Sequence, residues 1–185
     1  MTARKVPVDL EELITAFDTN LREANYYLDL ETGDVILVSD EARSLAEEIV
    51  ESIPEDEEVT REALEAALGD HDEQDWMLEE AIWAALVEQG FGTRYVEVPT
   101  VESREGYRDM EDFIETVSDP QIRRELGIAI AGRGAFRRFK DVLLDCPAER
   151  QRWFAFQNDI MRRRVLAWLD KEGIEPLPRP KPPQR

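Results

Sequence analysis

The residues best suited to bind an anion lie in two basic stretches of the sequence. One stretch follows the glycine pair Gly132 and Gly134, and the other is a run of three consecutive arginines. Together they contain seven candidate binding residues, which are Arg133, Arg137, Arg138, Lys140, Arg162, Arg163 and Arg164. Backbone N–H groups at a helix start and guanidinium groups both bind phosphate oxygens, so this chemistry would suit a phosphate group.

The glycine pair also has a purely structural interpretation. It lacks the third glycine of a dinucleotide fingerprint and the Gly-Lys-Ser/Thr of a P-loop. Helical patterns flank it on both sides, with apolar residues Ile122, Leu126 and Ile130 before it and Phe136, Phe139 and Leu143 after it. The pattern predicts two helices that meet at a tight corner, with both phenylalanines facing inward and Arg137 four residues before Asp141 to pair with it. A corner is favoured over a nucleotide cradle.

A helix, a turn and a second helix are also the elements of a DNA-binding motif, with residues 135–144 as the recognition helix. That helix has no asparagine or glutamine to read a base, and the formal net charge of the chain is -19. The alternative is that these arginines pair with carboxylates of the acidic first half.

Within the run at 162–164, three consecutive residues span about 200° of a helix. Arg164 therefore lies near the apolar stripe, where we expect it to reach water or an acidic side chain.

Other reactive residues offer little catalytic chemistry. His71 is the one histidine, and its acidic neighbours match neither a calcium loop nor a zincin helix, so they indicate a helix start. Cys146 is the one cysteine and has no thiol partner. The sequence therefore predicts no catalytic residue, metal site or cofactor, although a pair of carboxylates could still act as acid and base once folded. We lean against an enzyme.

Charge is distributed unevenly along the 185 residues. Residues 1–100 carry 6 Lys or Arg against 27 Asp or Glu, whereas residues 101–185 carry 17 against 15. The hydrophobic fraction of 42% and the charged fraction of 35% are typical of a soluble protein. Apolar runs are too short for a membrane span, and the start of the chain lacks a signal-peptide pattern. We expect a cytoplasmic protein without a membrane partner.

The first half reads as helices with a small sheet. Two β-rich stretches, 25–30 and 35–38, flank a turn at Gly33 and predict a hairpin, and residues 93–98 predict a third strand. Helices are predicted over 9–17, from Ser39 to Pro54, from Thr60 to Gly69 and from Asp72 to Gly90. We therefore expect an α+β fold with a small antiparallel sheet of about three strands.

The second half reads as entirely helical. Helices are predicted over 107–117, over 121–131 behind Asp119 and Pro120, after the glycine corner, and from about 148 to 172. All four tryptophans, Trp76, Trp83, Trp153 and Trp168, lie on apolar stripes and are predicted to be core residues. We expect one domain over residues 1–175, with an acidic α+β portion at 6–99 and a helical portion at 100–175, and a flexible proline-rich tail at 176–185.

Three features of the sequence resemble a known family. They are the string Gly-Arg-Gly-Ala-Phe-Arg-Arg-Phe-Lys-Asp at 132–141, the stretch Tyr-Arg-Asp-Met-Glu-Asp-Phe at 107–113, and the tryptophans Trp153 and Trp168. The family is Uncharacterised Protein Family 0158, a group of bacterial proteins, and the similarity spans roughly residues 6–175. The resemblance implies a bacterial origin and carries no catalytic residue, because the family has no assigned activity. The leading hypothesis is thus a non-enzymatic interaction or regulatory protein that binds a protein or itself. A nucleic-acid-associated protein and an enzyme of unknown class are the alternatives.

Overall fold

A computed structural model describes residues 3–68 and 74–179 of the chain. The strands are β1 (Arg4–Val8), β2 (Ala24–Asp29), β3 (Val35–Ser39), β4 (Tyr95–Val98) and β5 (Ile174–Pro178). The helices are α1 (Leu10–Asp18), α2 (Asp40–Glu51), α3 (Arg61–Ala67), α4 (Asp75–Gly90), α5 (Ser103–Thr116), α6 (Pro120–Ile130), α7 (Ala135–Leu144) and α8 (Pro147–Lys171). The α+β class is confirmed.

The chain divides into two compact units. Unit 1 comprises residues 1–99 and 169–185, and unit 2 comprises residues 100–168. Unit 1 contains all the strands of the described part of the chain, together with α1 to α4, whereas unit 2 is helical. The predicted single domain over residues 1–175 stays a prediction.

The three-stranded antiparallel sheet of unit 1 is the one predicted from the sequence. Its strand order is β3-β2-β4, and the β2–β3 hairpin closes at a turn in which Gly33 has φ 76°. The Asp29 carboxylate accepts hydrogen bonds from the turn N–H groups of Glu31 and Thr32. Asp29 therefore holds the turn in shape, and the hairpin prediction is confirmed.

The helices of unit 1 begin where their capping residues predict. Asp9, Ser39 and Thr60 each accept a hydrogen bond from a backbone N–H in the first turn of α1, α2 and α3. The predicted start of α4 at Asp72 and the stop at Gly69 lie outside the described residues, and the described helix begins at Asp75. Helices α2 and α4 pack on one face of the sheet, where Ile36, Val38, Ile49 and Ala81 are among the buried residues.

Strands β1 and β5 form a parallel pair that the sequence did not predict. The register joins Arg4 to Ile174 and Val8 to Pro178, and Lys5 lies 3.7 Å from Glu175. Proline residues lower the strand signal because they lack an N–H donor, so the sequence predicted an unpaired tail from residue 176. The pairing depends on segments about 170 residues apart, which no local pattern reveals.

The core of unit 2 forms where α5, α6, α7 and the start of α8 meet. Met110, Phe113, Leu126, Phe139 and Trp153 are buried in it. Helix α7 contributes Phe139, which is 1% exposed.

Two predictions of burial are wrong. Phe136 is 43% exposed, because α7 turns Ala135, Phe139 and Leu143 inward and leaves Phe136 near the edge of that stripe. Trp76 is 58% exposed, because it lies in the first turn of α4, ahead of the segment of that helix that contains the buried Ala81 and Ile82. The spacing of apolar residues identifies which face of a helix is buried. It does not show how far along the helix the neighbouring elements cover that face.

Candidate functional site

The glycine corner between α6 and α7 has the geometry that the sequence predicts. Asp119 caps α6 through the N–H groups of Gln121 and Ile122, and Pro120 occupies its first turn. Gly132 has φ 87° and Gly134 has φ 75°, so both residues use the left-handed region that favours glycine. Gly134 is the N-cap of α7 and provides no side chain to cap it. The chain thereby reverses within four residues.

An aromatic cluster holds α7 in place beneath this corner. The Phe139 ring lies 4.8 Å from the Trp153 ring and 6.1 Å from the Phe113 ring, both in edge-to-face geometry. Trp153 and Phe113 also contact each other at 5.2 Å. Such pairs stabilise beyond the area they bury. The cluster fixes which side of α7 faces outward, and this is the side that carries its basic residues.

Two of the seven candidate binding residues, Arg138 and Arg164, bind groups outside their own helices. Arg164 forms a two-pronged ion pair with Asp109 of α5, with N–O distances of 2.6 and 2.8 Å, and Asp109 is almost fully buried. The predicted bridge from Arg164 to an acidic side chain is confirmed. Arg138 donates to the Ala131 carbonyl at 2.6 Å and so caps the end of α6. These two guanidinium groups have partners within unit 2 already.

The other five candidates differ in their contacts. Arg137 lies 3.9 Å from Asp141 in the predicted pair, and both side chains are exposed. Arg163 donates to the Asp159 carbonyl within α8, and Arg162 also has a contact. For Arg133 and Lys140, the described part of the chain provides no hydrogen bond or ion pair, and both residues are exposed. The proposed pairing of these residues with the acidic first half stays a prediction.

The two basic stretches do not form one patch on unit 2. Phe139 of α7 packs against Trp153 of α8, and the arginine run begins nine residues further along α8. At 1.5 Å per residue, that separation is about 14 Å along the helix axis. We therefore treat the outward side of the α6–α7 corner as the candidate site and the run at 162–164 as a separate feature.

Sequence reasoning missed a common role of arginine in unit 2, which is to cap the end of a neighbouring helix. Arg123 of α6 donates through Nε to the Val117 carbonyl at 2.8 Å, and Arg152 of α8 donates to the Thr116 carbonyl at 3.0 Å. Both carbonyls lie at the end of α5, which has no basic residue in its last turn. Cations favour the negative end of a helix dipole. Some of the excess positive charge is therefore structural.

A shallow groove runs between α6 and α7 on the outward side. Its volume is about 440 Å³, and it is lined by Glu125, Ile128, Ala129, Arg138, Asp141 and Val142. Ile128 is 65% exposed although it is a large apolar side chain. Arg124 precedes Ile128 by four residues and Arg137 precedes Asp141 by four, so a helical turn places each arginine beside the groove. The result is an apolar floor bordered by Glu125, Asp141 and Arg138, with Arg124 and Arg137 one helical turn from lining residues. The sequence signal for this groove was the isolated apolar residue Ile128 on an otherwise polar face.

Unit 1 contains an ion pair in which the carboxylate is buried and the arginine is partly exposed. Arg94 of unit 1 binds the Asp29 carboxylate through Nε and Nη2, the latter at 2.7 Å. Burial alone would raise the pKa of Asp29, but the hydrogen bonds from Arg94 and from the turn N–H groups outweigh it, so the pKa lies below its ordinary value. The same contact raises the pKa of Arg94. This carboxylate is ionised and already bound, so it is suited to structure and not to proton transfer.

Neither metal binding nor membrane insertion finds support in the described residues. Within residues 3–68 and 74–179, no three His, Cys, Asp or Glu side chains come together to hold a metal ion. His71 and its neighbours Asp70, Asp72 and Glu73 lie outside that part, so the predicted helix start there remains a prediction. No helix in the same residues combines the length and apolarity needed to cross a bilayer.

Fold and site together define an acidic α+β protein with a helical unit that carries a basic, partly apolar corner. The family model described as Uncharacterised protein family (UPF0158) matches residues 70–181. The chain belongs to this family. It is also similar to a UPF0158 protein of Pseudomonas aeruginosa, with 27% identity over 179 residues that cover 97% of this chain and 92% of that protein. No solved structure matches the chain.

Proposed function

We propose that the protein is a non-enzymatic cytoplasmic interaction or regulatory module, and that unit 2 binds an acidic amphipathic helix of a protein partner in the α6–α7 groove. The observation that carries the proposal is the exposed Ile128 in the lining of a groove on a segment rich in basic residues. The family assignment contributes no activity, so the argument depends on the surface alone.

The shape of the groove suits a helix. Two neighbouring helices joined by a tight corner leave a furrow between them, and an amphipathic helix can lay its apolar side chains into such a furrow. Ile128, Ala129 and Val142 supply apolar surface along it. A buried isoleucine side chain is stabilised by roughly 1.5–3 kcal/mol relative to an exposed one. Covering Ile128 therefore gives a partner a direct energetic gain.

Charge selects an acidic partner. Residues 121–144 carry six Lys or Arg against two Asp or Glu, in a chain whose formal net charge is -19. Arg137 is exposed and Arg133 and Lys140 are exposed as well, so their charges act on a molecule that approaches this corner. Like charges on the remainder of the chain oppose long-range attraction of a polyanion. A short acidic helix needs only the local field, whereas nucleic acid depends on many phosphate contacts.

Fluorescence anisotropy with a defined helical peptide tests the proposal. The probe is a labelled peptide with leucine at helical spacing i, i+3, i+4 and i+7 and glutamate elsewhere. We expect saturable binding to the full chain and about a tenfold loss of affinity in Ile128→Ser, which corresponds to about 1.4 kcal/mol. The control Leu21→Ser changes another exposed apolar residue, in unit 1, and is expected to leave affinity unchanged.

Three results would count against an acidic helical partner. Equal affinity of the two serine variants would mean that the peptide binds elsewhere. Equal binding of a peptide with lysine in place of glutamate would remove the charge argument. Tight, strongly salt-dependent binding of duplex DNA that is lost in Arg133→Glu and Arg137→Glu, without binding of the acidic peptide, would instead identify a nucleic-acid-associated protein.

A further inference from the structure

Within the described residues, β3 is an edge strand of the three-stranded sheet of unit 1 and pairs with β2 alone. The Asp29 N–H donates to the Asp34 carbonyl, and the Asp40 N–H donates to the Glu23 carbonyl. In an antiparallel ladder, hydrogen-bonded pairs alternate with pairs that do not exchange bonds. Residues 34, 36, 38 and 40 therefore turn their backbone groups towards β2, whereas residues 35, 37 and 39 turn theirs away from it.

The backbone groups on this edge are mostly unused. The Ser39 N–H donates to the Glu80 carboxylate of α4 at 2.8 Å. The N–H and C=O groups of Val35 and Leu37 form no hydrogen bond with the described residues. Four backbone groups are thus ready to pair along one short stretch. An edge of this kind is a template for an added strand unless charge or proline blocks it.

A groove lies directly beside the open edge. Its volume is about 410 Å³, and it is lined by residues 34–37 of the β-hairpin and by Trp76, Glu79, Glu80 and Trp83 of α4. Trp76 is 58% exposed, and its indole N–H donates to the nearby side chain of Gln74. Arg61 stacks over the Trp83 ring at 4.5 Å. The groove therefore offers aromatic surface next to unpaired backbone, which is the arrangement that recognises an extended peptide.

The charge around the groove favours a basic occupant. Asp34, Glu79 and Glu80 all line it, and Arg61 already pairs with Glu79 at 2.9 Å. Residues 1–100 carry 27 acidic residues against 6 basic ones, so acidic side chains outnumber basic ones around the groove. Arg179 of unit 1 already illustrates the preference, because it binds the Asp34 carboxylate and the Gly33 carbonyl at one end of the hairpin. Hydrogen bonds from Thr32 and from Arg179 lower the pKa of Asp34, although burial opposes them.

We propose that the β3 edge and the adjoining groove bind an extended, basic segment of a partner protein as a fourth strand. Backbone bonds to Val35 and Leu37 provide the pairing. Alternate side chains of the added strand then reach the Trp76 surface, and its lysine or arginine residues lie near the carboxylates of α4. This surface belongs to unit 1, so the inference is independent of the groove between α6 and α7.

A second copy of this chain is the competing occupant, and its charge argues against it. Pairing two β3 edges would bring together two sets of acidic residues with the same sign. A basic strand from another protein gains attraction at the same place. Strand β3 has no charged residue, but like charges on Asp34, Glu79 and Glu80 beside each edge would repel one another, so the edge is better suited to a heterologous partner.

The test uses a labelled peptide of about eight residues with alternating lysine and valine, a length that covers one strand. Binding to the full chain is followed by anisotropy, and amide hydrogen exchange reports Val35 and Leu37. We expect slower exchange at both amides on binding. Leu37→Pro is expected to lower affinity about tenfold because it removes one outward N–H, whereas Leu37→Ala keeps that donor and serves as the matched control.

Two further measurements keep the test independent of how well Leu37→Pro folds. Trp76→Ala changes an exposed side chain and is expected to weaken binding by about tenfold. The same peptide N-methylated at alternate residues cannot pair and is expected to bind more weakly by a similar factor. Ile128→Ser in unit 2 is expected to have no effect, which separates this surface from the one proposed above.

Three outcomes would overturn the inference. The first is the absence of binding at low salt. The second is equal affinity of the N-methylated peptide and unchanged binding by Leu37→Pro, which would mean that the acidic surface merely attracts cations. The third is a dimer in light scattering that Leu37→Pro dissociates, which would assign the edge to a second copy of the chain.

Discussion

Unit 1 and unit 2 both cap helix starts, but unit 2 adds arginine contacts at the ends of its helices. In unit 1, Asp9, Ser39 and Thr60 satisfy N–H groups at helix starts, and acidic residues follow in the first turns. In unit 2, Arg123, Arg138 and Arg152 satisfy carbonyl groups at helix ends. Negative groups are stabilised at a helix start and positive groups at a helix end.

The difference shows why the net charge of a segment is a poor guide to its partners. The seven candidate cations were selected by type and spacing, yet Arg138 and Arg164 have structural partners within unit 2. Charges that remain exposed and without a structural role are the ones that can act on a partner. In unit 2 these lie beside an apolar groove, and in unit 1 the acidic groups lie beside an open strand edge.

The largest single effect in unit 2 is expected from its aromatic core, where Phe113, Phe139 and Trp153 pack together. Phe139→Ala is expected to lower the free energy of unfolding by about 3–5 kcal/mol, because the ring is buried against Phe113 and Trp153. Urea denaturation followed by tryptophan fluorescence and by circular dichroism measures the change.

Phe136→Ala is the matched control on the same helix. Its ring is 43% exposed, so the expected loss is less than about 1 kcal/mol. Equal losses for the two variants would mean that both rings contribute to one core and would remove the distinction between the inward and outward sides of α7.

Two glycines with the same backbone conformation provide a sharper comparison of the units. Gly33 in unit 1 has φ 76°, and Gly134 in unit 2 has φ 75°. A Cβ at Gly33 would lie 1.7 Å from the Pro7 carbonyl oxygen, whereas a Cβ at Gly134 meets no atom within 4 Å. Gly33→Ala is expected to cost about 3 kcal/mol, from strain and from displacement of β1. Gly134→Ala is expected to cost about 1 kcal/mol from the backbone alone.

Thermal unfolding of the two alanine variants in parallel checks this difference. The backbone strain is common to both positions. The difference between the Tm loss of Gly33→Ala and that of Gly134→Ala therefore measures the steric contact of the added Cβ with β1. A Tm loss for Gly134→Ala as large as that for Gly33→Ala would contradict the open surroundings of the α6–α7 corner.

A smaller effect than that of Gly33→Ala is expected for acid stability in unit 1. Asp29 has a folded-state pKa below its unfolded value, so its contribution to stability is present above about pH 4 and is lost as pH falls through the folded pKa. Asp29→Asn is expected to lower stability by about 2 kcal/mol at neutral pH and to flatten the stability profile below about pH 4.

Urea midpoints measured from neutral pH down to about pH 3 check the sign of this effect. The variant Glu97→Gln is a useful control, because Glu97 is an exposed acidic residue of β4 that accepts a hydrogen bond from Asn25 without a buried cation. An unchanged acid profile for Asp29→Asn would show that the Arg94 contact does not link folding to pH.

Most of the secondary structure was predictable because it depends on neighbouring residues. Asp9, Ser39, Thr60 and Asp119 mark helix starts at the predicted positions, and Gly33 marks the hairpin. The candidate site was predictable only in part. Its corner at Gly132 and Gly134 follows from local sequence, but the availability of each arginine depends on which carbonyl or carboxylate lies opposite.

The sequence by itself determined the class of fold, the hairpin, the helix corner and membership of the family, since caps, turns and apolar spacing act over a few residues. Tertiary structure alone decided the pairing of β1 with β5, the exposure of Phe136 and Trp76, the pairing of Arg164 with the buried Asp109 and the position of β3 at the edge of its sheet. The physical reason is that these features are set by groups far apart in the chain. Such contacts exist only after the backbone has brought their partners together.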